Sequence, residues 1–273
     1  MMLNNNFYIE TFLKDLKIAI SYKTQFIFSI LSIFISLYFV IIFSALFDSG
    51  ENQYLQKYGG DYFTFLIVGI ITAEITVVML NTMPNKVREY QLTGIFEELI
   101  MSGRNEIEII SSSISYPLIF QFFRLICYFF AINFVSESML LFNNFSYISL
   151  VSILLFIIAL IGISLISTAF TIAFKSPSVI NRIYLTLTSV LSGVAFPIEL
   201  LPTYLMNLGS LLPSTHFLEL IRADMINNEL NFFDMEQSLF ILAFSAFILV
   251  SLGVFFIQKS IKISKTNGTL LQY

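Results

Sequence analysis

YISLVSILLFIIALIGISLISTAFTIAF, residues 147–174, is the stretch whose reading decides the fold. It carries no charged side chain from end to end. At 1.5 Å rise per residue, a helix of this length crosses the ~30 Å hydrocarbon core of a bilayer. Similar apolar runs occupy about 26–47, 61–83, 113–135, 183–200 and 236–258. Lys and Arg collect in every second gap between these runs, as expected of a chain that threads back and forth with its basic residues on the cytoplasmic side. The expected fold class is all-α: a polytopic membrane protein with six transmembrane helices, forming one transmembrane domain over residues 1–273.

Composition agrees. Only 12% of the 273 residues are charged and 57% are hydrophobic, whereas soluble domains average ~25% charged. Mean hydropathy is +0.84. A net charge of −4 argues against a nucleic-acid partner, which needs a basic face. The lone cysteine, Cys127, lies in an apolar run and reads as a small buried hydrophobe. Trp is absent, so an interfacial aromatic belt must be built from Tyr and Phe.

Ahead of the first span, residues 6–25 place Phe12, Leu13, Leu16, Ala19 and Ile20 at helical spacing, with Lys14, Asp15, Lys17 and Lys23 between them. This is an amphipathic helix expected to lie along the membrane surface. The run 26–47 is too long for the ~7–15-residue core of a cleaved signal and reads as a retained span. Pro84 is expected to end the second span. Pro117 falls in the first turn of the third, where a missing N–H is tolerated. Ser176-Pro177 marks a turn after the fourth. The region 183–226, with Pro197, Pro202 and Pro213, is too long for one span and too broken for two. It reads as a short span followed by a re-entrant or interfacial helical hairpin at the outer side, a backbone allowed only where protein or water covers its polar groups. With both termini inside, eleven of the fourteen Lys and Arg lie inside, Lys57 and Arg222 lie outside, and Arg124 falls within the third span. That ratio fixes the orientation.

No G-x-x-x-x-G-K-[ST] phosphate loop and no G-x-G-x-x-G occurs. His216 is the sole histidine, which removes His-based metal clusters. No catalytic residue, metal site or bound cofactor is expected on this chain. No residue spacing favours a Ser–Lys or paired-carboxylate hydrolase.

Two gaps carry the candidate functional residues. The inner gap contains NKVREYQLTGIFEELIMSGR, residues 85–104. Gly94 and Gly103 bracket a helix-forming stretch in which Ile95, Phe96, Leu99 and Ile100 form one stripe while Glu97 and Glu98 face elsewhere. It reads either as a docking knob for a cytoplasmic partner or as an ordinary solvated loop. The outer gap contains SGVAFPIELLP, residues 192–202, then LLPSTH, residues 211–216, then Arg222. His216 there reads as a capping or internally hydrogen-bonded residue, as a pH sensor or as a ligand.

Together these stretches resemble the permease subunit of type-2 ATP-binding-cassette exporters. The outer gap is similar to that family's small-Gly-x-x-Phe-Pro stretch, Leu-Pro pair, Pro-x-Thr-His and downstream Arg. Arg88-Glu89 and Gly94-Ile95-Phe96-Glu97-Glu98-Leu99 resemble its coupling-helix stretch. Gly103 stands where the family has Pro, Ser214 where it has Leu, and Ile95 where it has Thr. The resemblance implies a homodimer that works with a separate cytoplasmic ATPase, which binds ATP and Mg and contacts Gly94, Phe96, Glu97, Glu98, Leu99 and Gly103. It implies that a hairpin bearing Phe196, Pro197, Pro202, Pro213 and His216 lines or caps the outer end of the pathway. It also implies residence in the plasma (inner) membrane, among lipid. Cargo stays open among drugs, lipids and polysaccharides.

Glu74 and Arg124 are the charges deepest in the expected spans. They lie nine and eleven residues from the inner ends of spans 2 and 3, or roughly 14 and 16 Å. They are placed to form a structural ion pair, to face a translocation path, or to snorkel to an interface. Two rival functions are weaker. An ion-coupled secondary transporter wants repeats and broken helices in both halves, and only the fifth span looks broken. A membrane-embedded enzyme or scaffold wants a polar cluster at one depth.

Overall fold

The computed structural model describes residues 5–47, 62–135, 146–175, 179–225 and 232–266. The loop around 48–60 with Lys57, the loop with Glu137 and Asn143-Asn144, and the turn at Ser176-Pro177 lie outside the described residues. The described chain is all-helical, with no strand among the described residues. Its elements are α1 (Asn5–Ser21), α2 (Lys23–Phe47), α3 (Tyr62–Leu92), α4 (Ile95–Met101), α5 (Glu106–Ser112), α6 (Ser115–Val135), α7 (Tyr147–Phe174), α8 (Val179–Leu191), α9 (Thr203–Gly209), α10 (Pro213–Met225) and α11 (Phe232–Thr266), with a 3-10 turn at Ile198–Leu200. Four helices, at Phe65–Leu92, Glu106–Tyr128, Tyr147–Phe174 and Met235–Thr266, are long and apolar enough to cross a membrane. This is a membrane protein. A bent pair adds one further candidate, Phe7–Ser21 turning through 84° into Phe26–Ile42.

The six expected spans are not all matched by full-length helices. The expected span 183–200 is α8, whose 13 residues reach about 20 Å and fall short of the bilayer core. Conversely, α11 has 35 residues and carries Lys259, Lys262 and Lys265 as helix rather than tail. The span expected at 236–258 is therefore longer at both ends.

The expectation that Pro84 ends the second span is wrong: α3 runs through Pro84 to Leu92. A proline removes the N–H that would bond the carbonyl four residues earlier. Here that carbonyl is Leu80 O, in a fully buried residue. It accepts instead from Asn181 Nδ2 at 2.7 Å and from Ser164 Oγ at 3.2 Å. Side chains from α8 and α7 replace the missing backbone donor, so the helix continues.

Helix α7 sits at the centre, against α3, α10 and α11. Ser146 caps its start, with Oγ accepting from Ile148 N at 3.0 Å. Its contacts with α11 depend on two glycines. A Cβ on Gly162 would lie 2.6 Å from Leu249 C and Val250 N, and one on Gly253 would lie 2.8 Å from Gly162 O. Ser260 Oγ donates to Ala169 O at 2.9 Å further along. Contact positions rise together on both helices, so α7 and α11 run parallel with their backbones nearly touching. Small residues are what permit such packing in a bilayer, where burial from water no longer drives association.

One end of the bundle gathers charge. Lys86 of α3 pairs with Asp15 of α1 at 3.3 Å, and Lys265 of α11 pairs with Glu106 of α5 at 2.8 Å. Arg104 lies 4.2 Å over the Phe7 ring, and the Tyr8 and Ser111 hydroxyls are 2.8 Å apart. On α1, Thr11 is buried against the bundle while Ile9, Leu13 and Ile20 remain exposed. The protein-facing side of α1 thus mixes Thr11 and Asp15 with Phe12, Leu16 and Ala19, and its exposed side mixes Ile9, Leu13 and Ile20 with Glu10, Lys14 and Lys17.

Candidate functional site

Helix α4 hangs from α3 at the charged end. Gly94 and Gly103 on either side both take positive φ, 74° and 75°, a conformation that costs a side-chain-bearing residue and suits glycine. Phe96 and Ile100 are buried, and Leu99 is half-buried. The expected stripe is too wide, however. Ile95 is exposed, because a helix of only two turns can bury one narrow face against α3 and α5. Met101, 77% exposed, and Leu92 join Ile95 on the open side. Glu97 and Glu98 occupy the first turn, where the helix dipole favours carboxylates. Neither forms an ion pair among the described residues.

Glu74 and Arg124 meet in the middle of the bundle. Arg124 Nη2 donates to Glu74 Oε2 at 2.9 Å, and Tyr128 Oη donates to the same oxygen at 2.5 Å. Ser36 Oγ donates to Glu74 Oε1 at 2.9 Å. One carboxylate thus ties α2, α3 and α6 together, using Arg124 and Tyr128 on successive turns of α6. A half-buried carboxylate with a cation and two hydroxyl donors is satisfied on both oxygens, which is the arrangement a structural pair requires.

The segment after α8 turns at Gly193, φ 78°. Phe196 is half-buried beside Pro197, which precedes the 3-10 turn, and Pro202 immediately precedes α9. Pro213 is the first residue of α10, where its lack of an N–H removes no bond. Helices α9 and α10 are joined by a tight turn at 210–212. His216 is buried: Nε2 donates to Ser210 O at 2.8 Å and Nδ1 lies 3.5 Å from Ser238 Oγ. The ring is engaged within the fold.

Arg222, expected in the outer segment, is buried within the protein. Its guanidinium donates to Gly193 O at 2.7 Å, Phe65 O at 3.0 Å and Val194 O at 3.3 Å, and lies 3.5 Å over the Phe65 ring. Gly69 leaves room for the Val194 carbonyl beside α3. Two residues on, Asp224 accepts from Ser146 N at 3.1 Å and from Ser149 Oγ. Phe217 stacks on Phe156 at 4.2 Å, which sets α10 antiparallel to α7. Sequence reasoning missed Arg222, Asp224 and Asn181 as fixing points. The available signal was polar side chains lying beside apolar runs.

Among the described residues, no three His, Cys, Asp or Glu side chains converge to hold a metal ion. No protein-family model matches the chain, and no curated protein matches it.

Proposed function

We propose that this chain is the membrane-spanning permease subunit of an ATP-binding-cassette exporter, acting as a homodimer with a separate cytoplasmic ATPase. The observation that carries this reading is α4. It is fixed to the bundle by Phe96 and Ile100, yet it leaves Ile95 and Met101 uncovered at the end where the basic residues gather. An anchored helix with an apolar tip and an adjacent carboxylate pair suits a protein partner. Force applied there passes directly to α3 and α5, which touch α4. ATP-driven closure of two ATPases would rock the membrane halves through these helices.

In this reading the charged end is cytoplasmic and α1 lies along the inner surface, with Ile9, Leu13 and Ile20 in the lipid. The chain crosses the plasma membrane six times, the fifth crossing being assembled from α8 and the α9–α10 hairpin. Co-purification with a soluble phosphate-loop ATPase tests the proposal. Met101→Glu should release the ATPase while leaving the fold intact. Transport by the isolated chain, driven by an ion gradient, would overturn it.

A further inference from the structure

We propose that the cleft between α1, α2, α3 and α6 binds the uncharged, oxygen-bearing head of an amphiphile. The cleft encloses about 420 Å³. Its walls include Phe26, Tyr116 and Phe120, whose rings neighbour one another, with centroids 6.2 Å apart for Phe26–Phe120 and 5.9 Å for Tyr116–Phe120. Its charged and amide side chains sit at two levels. Asp15 and Lys86 lie near the charged end, while Gln121 and Arg124 lie deep between the helices.

Gln121 is only 4% exposed, and its Nε2 has no hydrogen-bond partner among the described residues. Arg124 Nε is likewise buried without one. An unpaired buried donor is a standing penalty that an entering acceptor removes. Both residues line the same cleft, and two spare donors there are matched by oxygen acceptors.

Charge balance selects among oxygen-bearing heads. Arg124 is already neutralised by Glu74 at 2.9 Å, and Lys86 by Asp15 at 3.3 Å and Glu89 at 3.1 Å. A phosphate or carboxylate would meet no unpaired cation, and an ammonium would meet only carboxylates that Lys86 already holds. A hydroxyl, ester or amide head carries acceptors without that cost. The aromatic walls suit a sugar face or an alkyl chain. Tyr22, exposed at the α1–α2 bend, marks the way in. The exporter reading is needed only to regard the amphiphile as cargo.

The chain contains no Trp, so Phe120→Trp installs a sole reporter in the cleft. The full chain in phosphatidylcholine nanodiscs is titrated with dodecyl glucoside, dodecyl phosphate and dodecyltrimethylammonium, each below its micelle-forming concentration. Dodecyl glucoside should give a saturable emission change at about tenfold lower concentration than either charged probe. Gln121→Leu should weaken it by about three- to tenfold, the worth of one neutral hydrogen bond. Equal responses to all three probes, tighter binding of the phosphate, or indifference to Gln121→Leu would each overturn the assignment. Should Phe120→Trp not fold, thermal stabilisation of the unaltered chain by the same probes must follow the same order. These titrations need no nucleotide or ATPase, so their failure is separate from failure of the exporter reading.

Discussion

Replacing Asn181 with Leu removes the nearer of the two donors to Leu80 O while keeping the side chain's branched shape. That carbonyl lost its backbone donor to Pro84, and it is buried in the centre of the bundle. Leaving a buried acceptor unpaired costs about 1–3 kcal/mol, but side-chain hydrogen bonds in a membrane protein average nearer ~0.6 kcal/mol. Ser164 Oγ remains 3.2 Å away and can shorten its bond, so Asn181→Leu alone should cost about 1 kcal/mol. Adding Ser164→Ala takes away the second donor, and the pair should cost about 2–3 kcal/mol, more than the sum of the singles. At roughly 2–4 °C per kcal/mol for a chain of this size, the double variant should unfold several degrees lower. Purified protein is heated in detergent and unfolding is followed by thiol labelling of the lone Cys127. The decisive variant is Pro84→Ala in the double background. It restores an N–H four residues beyond Leu80 and should recover most of the loss. If Pro84→Ala leaves the double variant as unstable as before, the substitution of side-chain donors for a backbone donor is not what holds α3 together.

Four further outcomes follow from the same contacts. Glu74→Gln should cost about 3–5 kcal/mol by stranding Arg124, and Glu74→Gln with Arg124→Leu should be less damaging than the single change in the same thermal assay. If the double variant is no better, the two charges do not act as a pair. Gly253→Leu places a side chain where α7 backbone lies and should abolish folded protein by size-exclusion chromatography, whereas Phe255→Leu on the exposed face should be silent. Arg222→Met should unpair three carbonyls and lower stability by more than about 2 kcal/mol, with Arg222→Lys intermediate. Gly94→Val forces a β-branched residue to positive φ and should cost about 1–3 kcal/mol, read as a lower unfolding temperature.

Local signals carried much of the fold. The expected span 147–174 coincides with α7 because Ser146 caps its start and nothing inside it conflicts with a helix. Gly94 and Gly103 marked the ends of α4 because positive φ is a local requirement. Pro202 and Pro213 stand at or just before helix starts for the same kind of reason. What failed was non-local. The stop at Pro84 holds only when no other donor reaches Leu80 O, and the donors come from positions 84 and 101 residues away. The burial of Arg222 was not legible because its partners are backbone carbonyls on α3 and after α8, which composition does not reveal. Ile95 was assigned inward because a stripe of four apolar residues ignores how little surface two turns can bury. The cleft beside Gln121 needs four elements to converge, and no window of sequence contains them.

The measurement that bears most directly on function is cross-linking from α4. A chain with Cys127→Ala and Met101→Cys is placed in membranes that contain its native complement of proteins and treated with a thiol cross-linker. A bond to a phosphate-loop ATPase, lost when Phe96→Asp loosens α4, is the expected result. Labelling of position 101 by an impermeant reagent from the outside of intact cells would contradict it.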